Sequence, residues 1–120
     1  MAKSLQVTAV GWLLLSLGHT ISAKDWQANA KFQNLSSFAS ACAKAGWYQG
    51  SGFFIMNGLL NYAWSQNPGL LRDPVHKAVA CTMVAIMWVS GWWYAKKGVL
   101  ANMMAVGVMG ALQGYSALTV

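Results

Sequence analysis

Polar and apolar positions divide the chain into four long apolar runs, at about 5–22, 46–65, 75–95 and 98–119, separated by shorter polar connections. The run GWYQGSGFFIMNGLLNYAWS, from Gly46 to Ser65, holds twenty residues without a charge. As a helix it is long enough to cross roughly 30 Å of hydrocarbon. At about 100° per residue, Gly46, Gly50, Asn57, Asn61 and Trp64 share one arc, and Tyr48, Ile55, Leu59 and Tyr62 fall opposite. Amides one turn apart are costly in lipid unless they meet protein or ligand groups, so the asparagine face is expected to point inward.

The other runs repeat this division. Along 5–22, Leu5, Thr8, Trp12, Ser16 and His19 share a face. Ser22 and Ala23 are small enough for a signal-peptide cleavage site, but His19 interrupts the end of the run, and an uncleaved span is expected. In the connection at 24–45, Phe32, Leu35, Phe38, Ala39 and Cys42 recur at helical steps and predict a helix over about 32–45. That helix either lies in the interface as an amphipathic segment or runs on into the second span. Asp73 followed by Pro74 predicts a capped helix start, and the face through His76 continues with Ala80, Met83, Met87, Ser90 and Tyr94. After the Lys96-Lys97-Gly98 turn, Gly107, Gly110 and Gly114 form a ridge beside Asn102, Gln113 and Ser116. These patterns predict an all-α fold, an integral membrane four-helix antiparallel bundle forming a single domain over residues 1–120.

Composition agrees with that reading and removes several function classes. With 57% apolar and 8% charged residues in 120, the chain has too few charges to coat a soluble globule. The net charge of +6 comes from side chains at or beyond the ends of the runs, which suits lipid headgroups and not the basic stripe of a nucleic-acid binder. Trp26, Trp47, Trp64, Trp92, Trp93 and Tyr94 cluster where spans meet the interface. Lys24, Lys31, Lys44, Lys96 and Lys97 in the first and third connections outnumber Lys3, Arg72 and Lys77, so those two connections are expected on the cytoplasmic side. The only carboxylate side chains are Asp25 and Asp73, which excludes hydrolysis by a carboxylate pair. Antiparallel threading puts His19 and His76 at opposite surfaces, and likewise Cys42 and Cys81, so neither a shared metal nor a disulfide is expected.

Two half-sites remain as candidates. One gathers His19, Gln49 and Asn102 with Trp47, Tyr48 and Asp25; the other gathers Asp73, His76, Asn61 and Gln113. His19, an ionisable group on the polar face of an apolar helix, is the expected acid or base. Gln49, Asn57, Asn61, Asn102, Trp12 and Tyr48 are expected to line a substrate site, with His76, Asp73 and Gln113 as secondary candidates. No metal and no cofactor is expected.

The motifs GWLLLSLGHT, the polar connection containing Asp25-Trp26, and GWYQGSGFF together resemble small four-helix membrane proteins of the DoxX-like kind. They also resemble the integral membrane proteins of biosynthetic gene clusters that are similar to cofactor-free anthrone oxygenases. That resemblance implies a membrane pocket for a lipophilic, often aromatic substrate and picks out His19. Three function classes follow. The first is a membrane enzyme using His19 for a cofactor-free isomerisation, cyclisation or oxidation of a polyketide- or terpenoid-like metabolite. The second is a subunit or assembly factor of a larger membrane complex, and the third a small transporter. The expected partners are membrane lipid, a lipophilic small molecule, and a second copy or a membrane partner protein; nucleic acid is not one. The expected location is the endoplasmic reticulum or plasma membrane.

Overall fold

Local signals fix most helix boundaries. A computed structural model describes residues 2–120, and every regular element among the described residues is helical. The first helix, α1, spans Lys3–Gln27, and a single turn, α2, spans Ala30–Gln33 behind Asn29, whose side chain accepts from the Lys31 amide. Ser36 then caps α3, Ser37–Gln66, by accepting from the Ala39 amide at 3.2 Å. The helix expected over 32–45 therefore begins at Ser37 and passes without a break into the run at 46–65. Of the two alternatives open in the sequence, it is the continuous one that forms. After a 3₁₀ turn, Pro68–Arg72, helix α4 spans Pro74–Lys96. Asp73 caps it as predicted, accepting from the Val75 and His76 amides at 2.8 and 3.4 Å. Gly98, at a φ of 73°, turns the chain into α5, Leu100–Leu118.

The helices pack as two pairs. Between α1 and α3, His19 lies opposite Trp47, Ser16 opposite Ser51, Trp12 opposite Phe54, and Ala9 opposite Gly58. Between α4 and α5, Gly91 lies against Val106, Met87 and Trp88 against Gly110, and Val84 against Gly114. In each pair the numbers rise along one helix as they fall along the other. Helices α1 and α5 join the pairs through Thr8 with Ser116 and Trp12 with Gln113. The core runs through Leu5, Trp12, Phe54, Trp64, Met83 and Met87, and Leu71 of the 3₁₀ turn plugs the same end. Helices α3 and α4 are consecutive yet meet closely only at that turn and through the Trp64–His76 pair beside it. The two pairs are thus tied together at the Leu5–Leu71 end, and they part toward His19 and Tyr94, where cavities open between them.

Two helices, α1 and α4, are long and apolar enough to cross a membrane by length and composition. The runs at 46–65 and 98–119, expected as spans, fall short of the same measure. The amides and glycines of α3 and α5 dilute their mean hydropathy, and several of those amides are turned inward: Asn57, Asn61 and Gln113 are all buried. The outward faces are apolar on every long helix, with Leu17, Leu59, Tyr62, Trp88, Val89 and Val108 all exposed.

Candidate functional site

His19 stands late in α1, half-buried, and its ring is fixed by Trp47 of α3. The two rings stack with centroids 3.8 Å apart and planes 9° from parallel, while Phe54 meets the imidazole edge-on at 5.0 Å. His19 Nε2 lies 2.9 Å from the Trp47 carbonyl, and Trp47 Nε1 donates to the His19 carbonyl at 2.7 Å. A carbonyl can only accept, so Nε2 carries the proton and Nδ1 is left as the acceptor of the neutral ring. Gly50 makes this fit possible, because a Cβ there would stand 3.1 Å from Nε2. Nearby, Thr20 donates to Ser51, and Ser16 donates to the Ser51 carbonyl, both at 2.8 Å, which locks the same stretches of α1 and α3 together.

Two cavities adjoin the ring. One, of about 230 Å³, opens between α1 and α5 and brings Ser22, Asn102 and Tyr94 to His19. The other, of about 270 Å³, opens between α3 and α4 and brings Ser90 and Tyr94 to the same ring. Their walls are otherwise apolar, chiefly Phe53, Phe54 and Val106. An apolar pocket with one proton acceptor and a few neutral hydrogen-bonding groups can bind an oxygen-bearing lipophile and move a proton on it.

Several expected members lie elsewhere. Gln49 is exposed, since it sits one residue off the inward arc of α3, and shared depth alone does not bring it to His19. Tyr48 is also exposed, and its hydroxyl accepts from Gln27 at 3.1 Å outside the cavities; Asp25 is exposed as well. Asn57, Asn61 and Trp12 are buried as expected but lie away from His19, and Asn61 and Trp12 hold the helices together through Gln113. Gln113 Oε1 accepts from Trp12 Nε1 at 2.6 Å and from Asn61 Nδ2 at 2.7 Å, and Gln113 Nε2 donates to Asn61 Oδ1 at 3.1 Å.

The second half-site divides in the same way. His76 Nδ1 accepts from Trp64 Nε1 at 3.1 Å, Asp73 caps α4, and Asn61 with Gln113 belongs to the buried network. His76 meets α3 seventeen residues beyond Trp47, roughly 25 Å along the helix, so the two histidines stand far apart. Of the predicted sets, His19 and Asn102 come together, with Trp47 beside them, and so do Asn61 and Gln113, in the buried network. Ser22, Ser90, Phe54 and Tyr94 were not assigned to this site from sequence. Ser90 and Tyr94 share the His76 face of α4, a signal that pointed to burial but not to which histidine they approach. No known protein family, characterised protein or solved structure matches this chain.

Proposed function

We propose that this chain is a small integral membrane protein, an antiparallel four-helix bundle, that binds a lipophilic molecule between its helix pairs and transfers a proton on it with His19. The observation that carries the reading is the state of the His19 ring. One nitrogen is committed to the Trp47 carbonyl, and the ring borders two apolar cavities together with Asn102, Ser22 and Tyr94. Nδ1 would take a proton from the substrate, and the Asn102 amide would hold an oxygen as it gains charge. Such a site suits isomerisation, cyclisation or cofactor-free oxidation. The four-span arrangement is supported by the opposed numbering of the paired helices and by outward apolar faces on all four, with the amides of α3 and α5 facing each other inside.

The test is His19→Gln. Glutamine can still donate to the Trp47 carbonyl, so the variant is expected to accumulate in membranes at the wild-type level. Turnover of the metabolite that builds up when the gene is deleted is expected to fall by roughly 10²-fold or more, the scale of general acid–base catalysis. His76→Gln, at the other end of the molecule, is expected to leave turnover near wild type. Equal product from wild type and His19→Gln at equal protein level would remove this mechanism.

A second reading, a subunit of a larger membrane complex, is favoured by one observation. Near the start of α3, Phe38 is 80% exposed and Leu35 stands exposed just before that helix, both beyond the predicted membrane run. Apolar side chains held there would find cover on a partner protein. Gentle extraction followed by native mass spectrometry separates the readings: a bound small molecule supports the first, and a stoichiometric protein partner supports the second.

A further inference from the structure

Outside the His19 ring, two buried side-chain nitrogens among the described residues lack a hydrogen-bond partner, Trp26 Nε1 and Asn57 Nδ2, and only the second borders a cavity. Asn57 is 2% exposed. Leaving a buried donor unpaired is costly, and in lipid no water relieves it. Asn57 lines an open cleft of about 340 Å³ between α3 and α4, floored by Leu60, Val79 and Met83 and rimmed by Ala78 and the exposed Met56 and Val75. This cleft and the cavity beside His19 share Phe53, and Met83 and Met87, one helical turn apart, line one each. From Gly46 to Leu60 the seam extends roughly 21 Å along α3.

We propose that this seam is a single ligand groove for a slender, unbranched chain, a long-chain alkyl alcohol, with its hydroxyl at His19 and a second, acceptor oxygen at Asn57. The proposal rests on the function proposed above and specifies its ligand. The shape is elongated, about the length of an extended hexadecyl chain, with Asn57 and Thr82 at one end and three polar side chains at the His19 end. Those side chains, Ser90, Tyr94 and His19, are neutral hydrogen-bonding groups, which suits a hydroxyl head and not an ionised one. Asn57 lies seven residues beyond Gly50, so the second oxygen belongs roughly 10 Å along the chain. Nδ2 is shielded from the groove in the present rotamer, and the assignment requires the amide to turn about χ2, a broad torsion, when the ligand is bound.

The experiment uses the full chain in phosphatidylcholine nanodiscs with two photoreactive probes, hexadecanol bearing a diazirine at its chain end and the same molecule with a mid-chain ketone. Both partition into the bilayer, so a difference between them reports the site. Chain-end crosslinks are expected on Leu60, Val79 and Met83, the least exposed walls of the cleft. The ketone probe is expected to be captured about fivefold more efficiently, the factor one net hydrogen bond supplies, and Asn57→Leu is expected to abolish that preference. Ala78→Phe, which fills the groove wall, is expected to remove the chain-end crosslinks while a hydroxyl-end diazirine still labels Trp47 and Tyr94. Equal capture of the two probes by wild type would overturn the assignment. So would chain-end crosslinks spread evenly over Leu17, Val89 and the other lipid faces. If the hydroxyl-end probe also misses Trp47 and Tyr94, the His19 site itself fails, an outcome distinct from failure of the groove alone.

Discussion

Gln113 makes three hydrogen bonds in a space where no water is expected to compensate for their loss. Its oxygen serves both Trp12 and Asn61, and its nitrogen returns a bond to Asn61. Gln113→Leu therefore leaves the Trp12 donor unpaired, whereas Asn61 keeps one bond, to the Asn57 carbonyl at 2.8 Å. The expected loss is roughly 1–3 kcal/mol, the range for an orphaned buried donor, with membrane hydrogen bonds at the lower end. Because Asn61 and Gln113 are reciprocal partners, Asn61→Leu combined with Gln113→Leu is expected to cost less than the two single changes together, by about 0.5–2 kcal/mol. Denaturant titration of the four proteins in mixed micelles measures that coupling. At this scale the sequence was informative about which residues turn inward and partly about whom they meet. The 3.6-residue period places Asn57 and Asn61 on one face, and they are buried; shared depth grouped Asn61 with Gln113, fifty-two residues away, and the two bond to each other, but nothing in the pattern signalled that Trp12 joins them. His19 was legible as a polar group facing inward. Its tautomer was not, since that depends on a backbone carbonyl of another helix.

At the scale of elements, glycine decides how closely the paired helices approach. A Cβ on Gly58 would stand 3.0 Å from the Leu13 side chain and 3.2 Å from the Ala9 carbonyl, and the carbonyl belongs to the α1 backbone and cannot swing aside. On the same helix, a Cβ on Gly52 would meet nothing within 4 Å. Gly58→Ala is expected to lower stability by about 1–3 kcal/mol through overpacking of α1 against α3. Gly52→Ala is expected to be neutral or to stabilise by up to about 1 kcal/mol through helix propensity. Thermal unfolding of both variants in one detergent gives the comparison directly, and a similar loss in both would mean that α3 does not pack on α1 as described. Caps and turns were the most legible elements: Asp73-Pro74 starts α4 and Gly98 ends the third connection, because each acts on its own neighbours in the chain. The length of α3 was less legible. Nothing in the local sequence between Cys42 and Trp47 distinguishes a bend into the interface from straight continuation, and packing on α1 settles it.

At the scale of the whole molecule, the four-span reading requires that α3 and α5, despite their diluted hydropathy, lie in lipid beside α1 and α4. The chain carries its own reporters for this. Cys42 and Cys81 are both free and exposed, so neither is hidden from a reagent by the protein itself. Cys42 precedes the predicted membrane run of α3 by four residues, whereas Cys81 lies seven residues into α4, roughly 10 Å below its start, on a face beside Val84 and Leu118. If four helices span the bilayer, water reaches the first thiol and lipid covers the second. A membrane-impermeant maleimide is then expected to label Cys42 rapidly from the side that carries Lys24, Lys31 and Lys44, taken as cytoplasmic from the lysine distribution. Cys81 is expected to stay unlabelled from either side until detergent is added, and the Cys42→Ser and Cys81→Ser variants assign each signal. The contrast follows from solvent and not from folding, since both thiols are equally free in the isolated chain. Labelling of Cys81 in sealed membranes at the rate of Cys42 would place the first third of α4 in water and end the four-span arrangement, and with it the dry cavities on which the proposed chemistry of His19 depends.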